Sequence, residues 1–121
     1  MTNRIQELTV NDVWRDEQDA WNNRSNYFVE MHNRDDRKAQ VTEFLSFLKD
    51  ENLLPPKDGC TLDIGCGVCD YALGLAREGH KATGIDLSDG MIRGAKQLAE
   101  SEGLDLSLYI APWSDETRRE L

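Results

Sequence analysis

The sequence predicts an α/β fold, a three-layer sandwich of alternating strands and helices behind an N-terminal helical cap. Three observations carry that prediction. A β-prone run, Thr61-Leu-Asp-Ile64, leads straight into Gly65-Cys-Gly67 and then into helical periodicity. A second β-prone run, Lys81 to Asp86, follows that helix, and a third, Leu104 to Ile110, follows the next. Strands that alternate with helical patterns in this way build a parallel sheet with right-handed crossovers.

Residues 1–33 are polar and Asn-rich, and form the expected cap; residues 34–121 form the expected main domain. Trp14 and Trp21 stand a heptad apart, so one helix from about Asp12 puts both on one face. Two readings fit these rings together with Tyr27 and Phe28: they dock the cap onto the domain, or they form a lid over a cleft. From Arg34 to Asn52, Val41, Phe44, Leu45 and Leu48 follow the spacing of an amphipathic helix, with Asn33 as its cap and Asp35 and Asp36 in its first turn. Pro55-Pro56 stop it, because neither ring donates a backbone N–H.

Cys60 to Ile64 is the first main-domain strand, with Asp63 near its carboxyl end. After the glycine turn, Val68, Ala72, Leu75 and Ala76 line one helix face, which ends at Gly79. The second strand ends in another acid, Asp86. Ser88 then caps a helix whose stripe is Met91, Ile92, Ala95, Leu98 and Ala99, ending at Gly103. Leu104, Leu106, Leu108 and Ile110 alternate as a third strand that Pro112 terminates. Trp113 and a charged run follow.

Composition narrows the functional classes. The chain has 121 residues, one domain's worth, with 14 basic against 23 acidic side chains and a net charge of −9. That balance repels a phosphate backbone, so nucleic acid is not the expected partner. The apolar runs are far shorter than a membrane span of roughly 20 residues, and the N-terminus has no signal-peptide pattern, so a cytoplasmic protein without membrane attachment is expected. Three cysteines, Cys60, Cys66 and Cys69, lie within ten residues, which does not resemble a secreted disulfide framework. Cys66-x-x-Cys69 matches a redox or half-zinc pattern formally. With no second cysteine pair and His80 alone, the expectation is no metal and small residues filling a tight loop.

The chemistry concentrates around the glycine turn. Gly65 and Gly67 allow close backbone approach to a ligand, and the helix that follows presents its N-terminus there. Asp86 lies 21 residues beyond Gly65. A doubly wound nucleotide fold places at that point a carboxylate that accepts from ribose hydroxyls, since both strand ends open on one crevice.

In these motifs the sequence resembles the class I S-adenosylmethionine-dependent methyltransferases that act on small molecules. The resemblance rests on Leu62-Asp-Ile-Gly-Cys-Gly67, on Leu75-Ala76 with Gly79, and on Gly84-Ile-Asp-Leu-Ser88 with Met91 and Ala95. It covers roughly residues 34 to 110. It implies a Rossmann-like sandwich carrying the first half of a seven-stranded sheet, and S-adenosylmethionine as cofactor. It further implies that Asp63 and the backbone of Gly65, Cys66 and Gly67 surround the methionine end, that Asp86 holds the ribose, and that Leu87 and Met91 flank the adenine. A small-molecule acceptor is the implied substrate, with no catalytic residue assigned.

Three departures from the family pattern stand out. Cys69 occupies the place of a usual third glycine. Ala111-Pro-Trp113 replaces an acid often set against the adenine amino group, and Trp113 either contacts the adenine or covers the core. The sequence stops after the third of the family's seven strands, which leaves the first as a bare edge; a truncated chain, or one covered by a second copy or a partner, is expected. Two rival functions share these features. One is a non-catalytic cofactor-binding or interaction module. The other is a nicotinamide-dependent oxidoreductase, against which Asp70, at the third-glycine position of that fingerprint, would face a pyrophosphate.

Overall fold

In the computed structural model, residues 3–8 and 14–121 are described. The elements are β1 (Ile5–Glu7), α1 (Arg15–Asn22), α2 (Ser25–His32), α3 (Asp35–Asp50), β2 (Cys60–Ile64), α4 (Asp70–Arg77), β3 (Lys81–Asp86), α5 (Asp89–Glu102), β4 (Ser107–Ile110) and α6 (Asp115–Glu120). Four parallel strands run in the order β1-β4-β3-β2. Helices α4 and α5 pack against β3, α3 packs on α4, and α1 and α2 pack on α5. The core lies between the sheet and the two central helices, and Leu73, Ile85, Ile92, Leu108 and Ile110 are its large, fully buried members.

The α/β class and the succession of three strands and two helices from residue 60 onward are as expected. Several details differ. The N-terminal region is not wholly helical, because Ile5–Glu7 adds a strand beside β4. Asn3 fixes it there: its Nδ2 donates to the Leu104 carbonyl at 3.0 Å and its Oδ1 accepts from the Leu106 amide at 2.9 Å. Trp14 opens α1 and Trp21 lies within it, so one helix does carry both rings, but it is short, ending at Asn22 before α2 begins; Asp12 lies outside the described residues.

Arg34, not Asn33, is the extended residue that opens α3, and no side chain caps that end. Of the stripe expected there, only Val41 is fully buried; Phe44 instead meets the Tyr71 ring edge-on at 4.9 Å. The charged run after Trp113 forms α6, opened by Ser114, whose Oγ accepts from the Thr117 amide at 3.2 Å. Its cue lies in the sequence: a capping Ser, then Asp115 and Glu116 in the first turn and Arg118 and Arg119 in the last, matching the helix dipole.

Among the described residues β2 forms one edge of the sheet, with Leu62 and Ile64 exposed at 41% and 47%. No helix is long and apolar enough to cross a membrane among the described residues.

Candidate cofactor site

A cleft of about 650 Å³ opens where the carboxyl ends of β2, β3 and β4 meet the cap. Parallel sheets bind ligands at such ends because the loops there diverge from a rigid edge. Asp63, Gly65, Cys66, Gly67, Asp86, Leu87, Met91 and Trp113 all line it. The cleft walls therefore include the eight residues named as cofactor candidates from the sequence, while Tyr27 and Cys69 are not on them.

The glycine turn is fixed by backbone geometry. Gly65 and Gly67 take φ of 68° and 58°, and a Cβ at either would meet no atom within 4 Å. The need is for a left-handed backbone, which side chains resist, and not for room. The turn is also bonded internally. The amides of Gly65 and Cys66 both donate to the Ile85 carbonyl, at 2.8 and 3.0 Å, and the Gly67 amide donates to Asp86 Oδ2 at 2.8 Å. The other oxygen of Asp86 accepts from the Ser88 amide at 2.8 Å. One carboxylate thus ties the first loop to the second, with lone pairs left for a ligand.

Asp63 is less well served. Its Oδ2 is buried with no hydrogen-bond partner among the described residues. Burial pushes its carboxyl up to about 6, against a backbone hydrogen bond from Ala72 that pulls it down, while the charges of Asp70 and Asp86 push it further up. A buried carboxylate oxygen without a donor is costly, and a cationic donor entering the cleft would relieve it.

Arg37 on the cleft wall and His32 beside it carried no sequence cue. Arg37, from α3, donates to Asp70 Oδ2 at 3.1 Å, and His32 Nδ1 lies 2.6 Å from Asp70 Oδ1. His32 is 2% exposed, and its Nε2 lies 3.3 Å from Glu102 Oε2, the carboxylate that Arg77 grips. The Arg77 guanidinium, and secondarily His32, hold the Glu102 carboxyl below its ordinary range against partial burial. This chain of contacts links α2, α3, α4 and α5, so only the folded packing brings it together. Trp14, Trp21 and Phe28 also line the cleft, which joins the docking and lid readings: the helices that pack on α5 also wall the cavity. Trp113, left open between adenine and core, lies on the cleft wall and is partly exposed. No group of three or more His, Cys, Asp or Glu side chains converges as a metal site among the described residues.

A parallel α/β sheet with a glycine turn after one strand and an acid ending the next defines a Rossmann-like, nucleoside-binding class of protein. Residues 61–117 match the model of the methyltransferase domain family, whose members use S-adenosylmethionine. The chain is 32% identical over 83 residues to the 23S rRNA (uracil(1939)-C(5))-methyltransferase RlmD of Shewanella halifaxensis, a match covering 68% of this chain and 19% of that relative. Among solved structures it resembles magnesium protoporphyrin IX methyltransferase (ChlM) from Synechocystis PCC 6803 with bound SAM. That likeness has a TM-score of 0.60 at 22% identity and covers 87% of this chain and 57% of the other. The PH0226 protein of Pyrococcus horikoshii OT3 is similar at a TM-score of 0.57 and 24% identity, over 65% of this chain and 34% of the other. These two likenesses establish the fold, while the chain spans under a fifth of the length of the RlmD relative.

The family match replaces the nicotinamide-dependent reading. It also brings a correction. A net charge of −9 argued against nucleic acid as a partner, yet relatives of this chain are 23S rRNA methyltransferases. The formal charge sums over these 121 residues, and the stretch that matches is a small part of such a relative. Affinity for a polyanion depends on where cations cluster, so the exclusion does not stand.

Proposed function

We propose that this cleft binds S-adenosylmethionine and that the chain forms the cofactor-binding part of a methyltransferase. The observation that carries the reading is the unpaired, buried Oδ2 of Asp63 at the base of a glycine turn. Among the described residues lining the cleft there are three carboxylates, Asp63, Asp70 and Asp86, and one cation, Arg37. Such a field suits a ligand bearing an ammonium and a sulfonium better than a diphosphate. When bound, S-adenosylmethionine supplies an electrophilic methyl group on that sulfonium.

The chain's own groups have separable roles. Asp63 accepts from the amino group of the methionine portion, and the Arg37 guanidinium supplies the positive charge for its carboxylate. The left-handed Gly65 and Gly67 keep the turn free of side chains, with Cys66 between them. Asp86, already oriented by two amides, accepts from the ribose hydroxyls, while Leu87, Met91 and Trp113 exclude water around the adenine. Holding the reacting centres in place is the main service of such a site, worth up to roughly 7–11 kcal/mol in favourable cases. Trp14 and Trp21 wall the same cleft from α1, so the cap both encloses the cofactor and shapes the acceptor's approach. In this reading residues 1–33 supply that cap, except Ile5–Glu7, which joins the sheet, and residues 34–121 are the cofactor domain.

Isothermal titration with S-adenosylhomocysteine tests it. One-to-one binding is expected, with Asp86→Ala weakening it by about 2–3 kcal/mol through loss of hydrogen bonds to a charged acceptor. Absence of binding to a folded chain would overturn the proposal.

A further inference from the structure

We propose that Cys66 and Cys69 form an internal disulfide on reaction with a small-molecule disulfide, and that this bond opposes cofactor binding in the cleft.

The two thiols are already arranged for the bond. The Cys69 amide donates to the Cys66 carbonyl at 2.9 Å, closing a turn that brings their Cα atoms within the separation disulfides span. The sulfurs lie 2.9 Å apart, with the Cys69 thiol donating to Cys66 Sγ. Both sulfurs sit over Gly84 of β3, in the space that a side chain there would fill. Cys66 is partly exposed and belongs to the cleft wall, whereas Cys69 is fully buried behind it, so an oxidant entering the cavity meets Cys66 first. That is the arrangement of an attacking and a resolving thiol.

The chemistry balances. The Cys66 thiolate attacks one sulfur of R–S–S–R, forming a mixed disulfide and releasing one thiolate; Cys69 then loses its proton and displaces the second. The two protons end on the two released R–SH molecules, the protein sulfurs are oxidised, and the small disulfide is reduced. The hydrogen bond shared within the Cys66–Cys69 pair, burial, and the charges of Asp63 and Asp86 push the Cys66 thiol up. The reaction is therefore slow at neutral pH and accelerates as pH rises.

Opposition to the cofactor follows from what can move. Bonding draws the sulfurs to about 2.05 Å. Cys69 is held as the first residue before α4, with its carbonyl accepting from the Leu73 amide at 2.8 Å. Cys66 is tied as well, its amide donating to the Ile85 carbonyl at 3.0 Å, so closing the bond strains the turn between the two residues, which forms part of the cleft wall. By linkage, a cofactor that favours the reduced turn must slow or disfavour the bond by the factor that the bond weakens the cofactor.

The test uses the full chain with Cys60→Ser, which removes the remaining thiol on exposed β2. Oxidised glutathione is added, and the alkylated product is weighed intact. A monomer lacking two hydrogens and closed to alkylation is expected, and the further change Cys66→Ala should abolish it. Two free thiols, two glutathione adducts or a linked dimer would overturn the disulfide. The coupling rests on the cofactor reading and is measured separately: S-adenosylhomocysteine should bind the oxidised chain about tenfold more weakly than the reduced chain. Equal affinities overturn the coupling. Failure of the reduced chain to bind overturns the cofactor reading and the coupling with it, while the disulfide is still judged by mass.

Discussion

Replacing Asp63 with Asn should make the chain more stable and its cleft less able to hold the cofactor. The carboxyl is raised from its ordinary 3.8 to about 6, so the folded chain holds this proton more tightly than the unfolded chain does. Its ionised form therefore costs stability above about pH 6, and that cost disappears as pH falls below 3.8. The full difference corresponds to about 3 kcal/mol, and solvent screening at a half-buried site reduces it to about 1–2 kcal/mol. Urea unfolding at pH 8 should show Asp63→Asn more stable by that amount, with the gain gone near pH 4. Cofactor affinity should move the other way. A hydrogen bond to a charged acceptor contributes about 1.5–3 kcal/mol, or roughly 10- to 150-fold in Kd for S-adenosylhomocysteine. The parent chain should bind with constant affinity well above pH 6 and lose affinity below it, as the carboxylate is protonated, whereas the variant should lack this component. Unchanged affinity in Asp63→Asn would refute the placement of the ligand's amino group; a loss of stability at pH 8 would refute the electrostatic account.

Three further outcomes are expected. His32→Ala leaves Asp70 and Glu102 short of a buried partner and opens a void, so it should destabilise by about 2–4 kcal/mol in urea, and a loss below about 1 kcal/mol would show that the network adds little. Gly84→Ala places a methyl group against both cysteine sulfurs and should cost about 1–3 kcal/mol, most of it recovered when Cys69→Gly is added; additive losses in a double-mutant cycle would deny that the two sites share one space. Ser114→Ala removes the cap of α6 and should cost about 1 kcal/mol, seen as faster amide exchange confined to α6 and its neighbours.

Legibility in the sequence follows the range of the interactions. The strand-turn-helix around Gly65, the cap at Ser88 and the acids ending β2 and β3 are set by neighbours within a few residues, and periodicity reveals them. The cleft residues from the parallel core were readable for the same reason. Strand β1 was not, because three residues carry little pattern and the element exists through Asn3 bridging to Leu104 and Leu106, about a hundred positions away. The Arg37–Asp70–His32 contacts are likewise products of docking, since each comes from a different helix and no spacing relates them. Helix α6 is the exception: its cap and charge order were local and readable.

Cys69 shows how a local irregularity becomes intelligible only through its partner across the fold. A left-handed φ of 68° disfavours a side chain, and a glycine would relieve it. The side chain is nevertheless fully buried, because Gly84 on the adjacent strand leaves room for its sulfur and for that of Cys66. Backbone strain at the start of α4 is offset by packing against β3. The same packing brings the sulfurs together beside the cleft, so the substitution that departs from the family's loop also supplies the chain's one paired thiol site among the described residues. A Gly at position 69 would restore an ordinary loop, empty part of the space over Gly84 and remove the resolving thiol at once. Loop conformation, strand packing and redox response are therefore consequences of one side chain, separable only by changing Gly84 and Cys69 singly and together.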